Sequence, residues 1–137
     1  MKILRRRLAN DHGAVLLMGL LLVVALLLVI GLAVDLGRAF IVRRELASIA
    51  DDAALVGSQQ LDLDALRAGR VALQPDAARA AANDVLDDEP RVRGSAHATE
   101  TVVTVTVRRR VRTILLGLAD LKQLTVTADA TATPRAP

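Results

Sequence analysis

Residues 13–34 of this chain read GAVLLMGLLLVVALLLVIGLAV, 22 positions without a charged or strongly polar side chain. As a helix rising ~1.5 Å per residue, this run is roughly 33 Å long, enough to cross a hydrocarbon layer of about 30 Å. A helix buried in a soluble domain keeps a polar face, and this one is apolar all round. Its β-branched residues suit lipid, where a backbone must satisfy its own hydrogen bonds. The run reads as a transmembrane helix, which makes the lipid bilayer the first partner of the chain.

Charge gives the orientation. Lys2, Arg5, Arg6 and Arg7 stand against Asp11 alone ahead of the run, and the net charge of +3 resides there. From Asp35 onward, basic and acidic residues number 14 each. A nucleic-acid domain would carry its excess charge on the folded body, so nucleic acid is not an expected partner despite a pI near 10.5. A basic tail before an apolar helix predicts a cytoplasmic N-terminus and an extracytoplasmic remainder. Arg38, Arg43 and Arg44 after the helix narrow that bias. The expected location is the cell (cytoplasmic) membrane, in a single pass. Small residues at Gly31-Leu32-Ala33 would suit a signal peptidase, but the apolar run exceeds the roughly 7–15 residues of a signal core. A prepilin-type leader would want an acidic residue five places into a chain starting at Ala14, where Met18 stands. An uncut, membrane-retained chain is expected.

Helical spacing continues past Val34, and no proline interrupts residues 14–74. One helix is expected from about Ala14 to about Gln59. Asp35 and Arg38 are spaced to pair across its exit turn. Leu46, Ile49, Ala50, Ala53 and Gly57 form one stripe. Its small residues permit close helix contact, first with the chain's own domain and otherwise with another subunit. A short helix is expected over 62–68, ending at Gly69. Another starts at Pro75, suited to a first helical position, with Ala78, Ala81, Ala82, Val85 and Leu86 as its stripe and Asp87-Asp88-Glu89-Pro90 at its end. Val103, Val105 and Val107 alternate with Thr104, Thr106 and Arg108 as a half-buried strand. Ile114, Leu115, Leu118 and Leu121 return to helical spacing, and a second alternating strand runs from Leu124 to Ala132.

The fold class expected is α+β, pilin-like: a transmembrane helix continuing into a long amphipathic helix, plus a small exported domain of short helices and a two-stranded antiparallel element. Its divisions are a basic cytoplasmic tail (1–12), the transmembrane helix (13–34), the extramembrane helix (35–60), a small α+β extracytoplasmic domain (61–133) and a disordered tail (134–137). A two-stranded ribbon needs a helix across one face. With Phe40 the only aromatic residue and alanine abundant, the core is weak, and a body this small leans on a membrane, a partner or copies of itself.

Catalytic residue types are few. Zero cysteines exclude disulfides and thiol chemistry. His12 lies at the membrane edge. His97 and Ser95 sit two apart without a third orienting group. Asp87, Asp88 and Glu89 lack calcium-loop spacing and read as a solvated helix end. No catalytic, metal or cofactor-binding residue is assigned, no cofactor is expected, and the chain is not expected to be an enzyme. Arg108, Arg109, Arg110 and Arg112 concentrate charge without aromatic residues for base stacking. They read first as a charged strand end that discourages edge pairing, and next as a contact for anionic lipid or cell-wall polymer.

The segment GLAVDLGRAFIVRRELASIADDAALVGSQQLD (31–62) resembles the TadE/TadG-like proteins of tight-adherence (Tad/Flp) pilus assembly. That family pairs a basic start and Gly-Ala (here Gly13-Ala14) with a long apolar helix, then an Asp-x-Gly-Arg exit, here Asp35, Gly37 and Arg38. An Arg-x-x-Leu-x-x-Ala-x-Asp-Ala-Ala-Ala-Leu pattern follows, matched by Arg43, Leu46 and Ile49 to Leu55. Asp52, Ala53, Ala54 and Leu55 keep its tail, while Asp51 replaces an alanine-like position. The motif covers roughly residues 12–60; beyond it the similarity is one of plan. The resemblance implies a non-enzymatic component of a pilus or secretion apparatus, whose partners are other pilus-assembly or pilin-like subunits in a homo- or hetero-oligomer. The alternative is a membrane-tethered extracytoplasmic module that binds anionic lipid or wall polymer through the arginines.

Overall fold

The computed structural model describes residues 2–120 and 122–135, with the side chains of 2–12, 118 and 119 outside the description. The side chains of the basic tail and of His12 and Leu118, together with Leu121 and residues 136–137 of the expected tail, therefore lie outside the described residues.

Helix α1 runs unbroken over Lys2–Ser58, 57 residues or roughly 85 Å of rod. It begins ahead of the expected start at Ala14 and stops one residue before Gln59. Gly13–Ser58 holds a window hydrophobic enough to cross a membrane, and none of that window is buried in the protein. Five residues form α2 (Leu63–Arg67), whose first turn is capped by the Asp62 carboxylate accepting the N–H groups of Asp64 and Ala65. Gly69, at φ 75°, closes that turn, a left-handed position that glycine adopts without a Cβ clash. Pro75 opens α3 (Pro75–Asp87).

Three strands follow, β1 (Arg93–Ala98), β2 (Val103–Arg112) and β3 (Gln123–Ala132), in an antiparallel sheet of order β1-β2-β3. The two expected strands are β2 and β3, and they are joined by the expected short apolar connection, which contains a 3-10 turn at Leu116–Ala119 rather than an α-helix. Strand β1 corrects the two-stranded expectation. Its sequence, RGSAHA, has little strand propensity and no apolar alternation. It exists because its neighbours accept it. Gly94 lies so close to β2 and α3 that a Cβ would stand 2.9 Å from Leu86 Cδ1 and 3.0 Å from Val107 Cγ1. The Ala96 N–H is accepted by Asn83 Oδ1 of α3 at 3.1 Å.

The sheet lays one face on α1, and α3 covers the same face toward β1. Val103, Val105 and Val107 from β2 and Val126, Ala128 and Ala130 from β3 point inward. Leu46, Ala50, Ala53 and Ala54 of α1 and Ala78, Ala82 and Leu86 of α3 meet them. The largest fully buried side chains are only Leu46, Leu73, Val103, Val105 and Val107. Phe40, the one aromatic residue, is 75% exposed. In register, β2 runs back along α1: Val103 sits beside Gly57, Arg109 meets Glu45, and Ile114 meets Asp35.

Candidate functional site

Two places on α1 hold the body to the helix. The upper one is the small-residue spine. Leu46, Ala50 and Ala53 have no exposed surface, and Gly57 is buried. Ile49 is half-buried at the core edge. A Cβ on Gly57 would lie 2.9 Å from the Ala78 carbonyl oxygen and 3.1 Å from Val103 Cγ1, so α3 crosses α1 at near-backbone contact. The surface this stripe covers is the chain's own sheet and α3.

The lower place is the end of the apolar run. Asp35 is only 5% exposed. Its carboxylate accepts the backbone N–H of Ile114 at 2.9 Å, of Leu115 at 2.8 Å and of Leu116 at 3.1 Å. These are the donors left without partners at the start of a helical turn, and a carboxylate answers both their geometry and their partial positive charge. Those N–H bonds, with the Ile114 bond foremost, hold the Asp35 carboxyl below its ordinary value of 3.8; burial works against them, and the Arg38 charge adds to the lowering. The spacing of Asp35 and Arg38 suggests an ion pair across one turn, but the carboxylate is committed to the loop. One turn below, a Cβ on Gly31 would overlap Leu115 Cδ1 and Cγ. The glycine is a notch, and Leu115 fills it.

The other motif residues lie apart from this clasp. Gly37, Arg38, Arg43 and Asp52 are exposed on α1. The arginine group splits by strand parity. Arg109 points inward, and its Nη1 donates to both carboxylate oxygens of Glu45 at 3.0 Å. Arg108, Arg110 and Arg112 are exposed on the outer face, where Arg93 stands directly across from Arg108. A cleft of about 300 Å³ is lined by Arg91, Arg93, Arg108, Arg109, Arg110 and Thr125. The edge-guarding reading of these arginines needs correcting in one respect: β2 is the central strand. Only 109–112 run past the start of β1 and leave that side of β2 uncovered. Like charges directly across two strands are destabilising, so packing alone does not account for Arg93 facing Arg108.

Ser95 and His97 occupy alternate positions of β1 across from Thr106 and Thr104. The nearby carboxylate, Asp129, accepts from Thr106 Oγ1 at 2.7 Å. Asp87, Asp88 and Glu89 are exposed at the end of α3. Among the described residues no group of three His, Asp or Glu converges as metal ligands would.

Sequence reasoning placed Asp35 in a motif but missed its partners. No local signal reports a contact across 79 residues; the available hint was a carboxylate directly after a charge-free run, where burial demands a donor.

This geometry defines a class: a continuous helix, lipid-compatible below and spinal above, carrying a small α+β body clasped at both ends of its upper half. The family model for TadE/G-like proteins of Flp pilus assembly (Tad) matches residues 13–60. The resemblance read from the exit motif is thereby shown for that segment, which comprises the apolar run, the Asp35 exit and the spine. Searches among curated proteins and among solved structures find no match.

Proposed function

We propose that the chain is a membrane-anchored, non-enzymatic component of a Tad/Flp-type pilus-assembly apparatus, N-terminus inside and body extracytoplasmic. One observation carries the reading: the family match over 13–60 coincides with a single structural unit, the part of α1 that joins a largely exposed apolar half to a packed spine. A long N-terminal helix with a small body suits a pilin-like subunit or a membrane-resident assembly factor, and its partners are other subunits of that machine.

Crosslinking in native membranes followed by capture of the full chain tests this. Crosslinks to pilus-assembly subunits, lost together with the chain's membrane insertion, are expected. Recovery without any such subunit would overturn the reading. A second reading, a tethered module whose purpose is to bind anionic lipid or wall polymer, is favoured by the outward arginines around the Arg93–Arg108 pair. It predicts that pilus assembly survives deletion of the chain.

A further inference from the structure

The exit clasp brings an apolar loop down beside the anchor. Leu115 seats in the notch at Gly31, inside the charge-free run, and Asp35 fixes the backbone of residues 114–116 just above it. Ile114, held in this loop, leaves 60% of its surface exposed, and Leu32, Leu36, Phe40 and Ile41 of α1 are exposed nearby along the helix. A loop tip that presents a large apolar side chain to water is unfavourable relative to one whose side chain is buried in an apolar layer.

The basic residues stand at the next level up. Arg38 is about 4.5 Å beyond Asp35 along the helix axis, and Arg112 is within roughly 7 Å of Ile114 along the strand. A headgroup layer is about 5–8 Å thick on each side of the hydrocarbon. Arg38 and Arg112 are exposed, and among the described ion pairs neither has an acidic partner. Arginine stems lie along apolar surface while the guanidinium reaches the polar layer.

We infer that the loop at Thr113–Leu116 is a second membrane contact: Ile114 enters the hydrocarbon boundary of the outer leaflet while Arg38 and Arg112 meet lipid phosphates, seating the body on the bilayer. The inference rests on the membrane-anchored reading above. Lipid is the fitting occupant because the surface is continuous with the anchor: Leu115 touches a residue of the spanning run itself, and the neighbouring helix side chains already face lipid at that depth.

The chain holds no tryptophan, so a single introduced indole reports its own depth. Full-length protein carrying Ile114→Trp is reconstituted in phosphatidylglycerol vesicles with brominated acyl chains. Leu22→Trp marks the anchor, and Glu100→Trp marks the far turn between β1 and β2. The expected result is blue-shifted emission that loses most of its intensity to bromine at Leu22→Trp and Ile114→Trp, with Glu100→Trp unquenched. Quenching at Leu22→Trp without quenching at Ile114→Trp overturns the inference and leaves the anchor standing. No quenching at either position overturns both. Adding Arg38→Ser and Arg112→Ser to Ile114→Trp is expected to reduce quenching in phosphatidylglycerol and not in phosphatidylcholine; equal quenching in all these cases overturns the arginines' part.

Discussion

The two halves of α1 invert the usual relation between size and burial. Below Asp35 the helix carries its largest apolar side chains, among them Leu16, Leu20, Leu22 and Leu26, and all are exposed by more than half. Above Asp35 the buried positions are mostly alanine and glycine. In water the first half would be a large exposed apolar patch of the kind that marks a membrane contact, and the second an undersized core. The difference fits one helix to two environments, a bilayer for the first half and a packed body for the second. Bulk suits a half that no part of the body covers, and smallness serves where backbones must come within touching distance. Asp35 marks the change, since it is the first charge after the run and the one buried residue of the Asp-x-Gly-Arg exit.

The comparison breaks most visibly at the spine. Ala53→Glu or Ala50→Glu places an unpaired charge against α3 and the sheet, at a cost of about 3–5 kcal/mol, much of the stability of a small domain. The body should lose its protease resistance and its thermal transition while the chain still fractionates with membranes, because residues 13–34 are untouched. The equivalent insult by size is Gly57→Leu. The bulk would have to displace the Ala78 carbonyl, costing about 1–3 kcal/mol, whereas Gly19, with nothing within 4 Å, should accept alanine with no change in the melting temperature of the body.

At the boundary between the halves, Asp35→Asn should release the loop while the core persists. Because the folded carboxyl lies below its ordinary value of 3.8, the clasp is fully present above that value and fades as pH falls through the lower folded value. Amide exchange at Ile114–Leu116, corrected for intrinsic rates, should therefore be flat at neutral pH and accelerate only once the pH falls below the ordinary carboxyl value of 3.8. In Asp35→Asn it should be fast throughout and lose that pH dependence. The smallest effect belongs to the half-exposed ion pair. Glu45→Gln should lower stability by no more than about 1 kcal/mol, and Arg44→Glu, on the exposed face, should stay within about 0.5 kcal/mol of the parent; calorimetry in detergent separates both from the spine variants.

These contrasts also mark what the sequence makes legible. The charge-free run, the Val/Thr alternation of β2 and β3, the Pro75 start and the Leu46–Gly57 spacing are local patterns, and each corresponds to an element of the fold. Strand β1 escaped because Gly94, Ser95 and Ala96 carry no strand signal; their conformation is imposed by Asn83, Leu86 and Val107. The bond from Asp35 to the loop and the notch at Gly31 escaped because both join residues about eighty positions apart. Arg109 reads as one of four equivalent arginines, yet strand parity turns it inward to Glu45 and leaves the others outward. The exit motif was recognisable, while the work of its one buried residue was visible only in three dimensions.

The clasp also imposes an order of events. A ribosome completes α1 while the residues that cover it are still unmade. Ile114, Leu115 and Leu116 come 79 to 81 positions after Asp35, and β3 comes later still. Until then the spine has no sheet to lie on and the exit carboxylate has no amides to hold. Local contacts alone cannot close this body, so its folding must wait on its last third. Residues 46–57 are therefore made well before the strands that cover them, and any companion that shields them in that interval would compete with strands the chain has yet to receive.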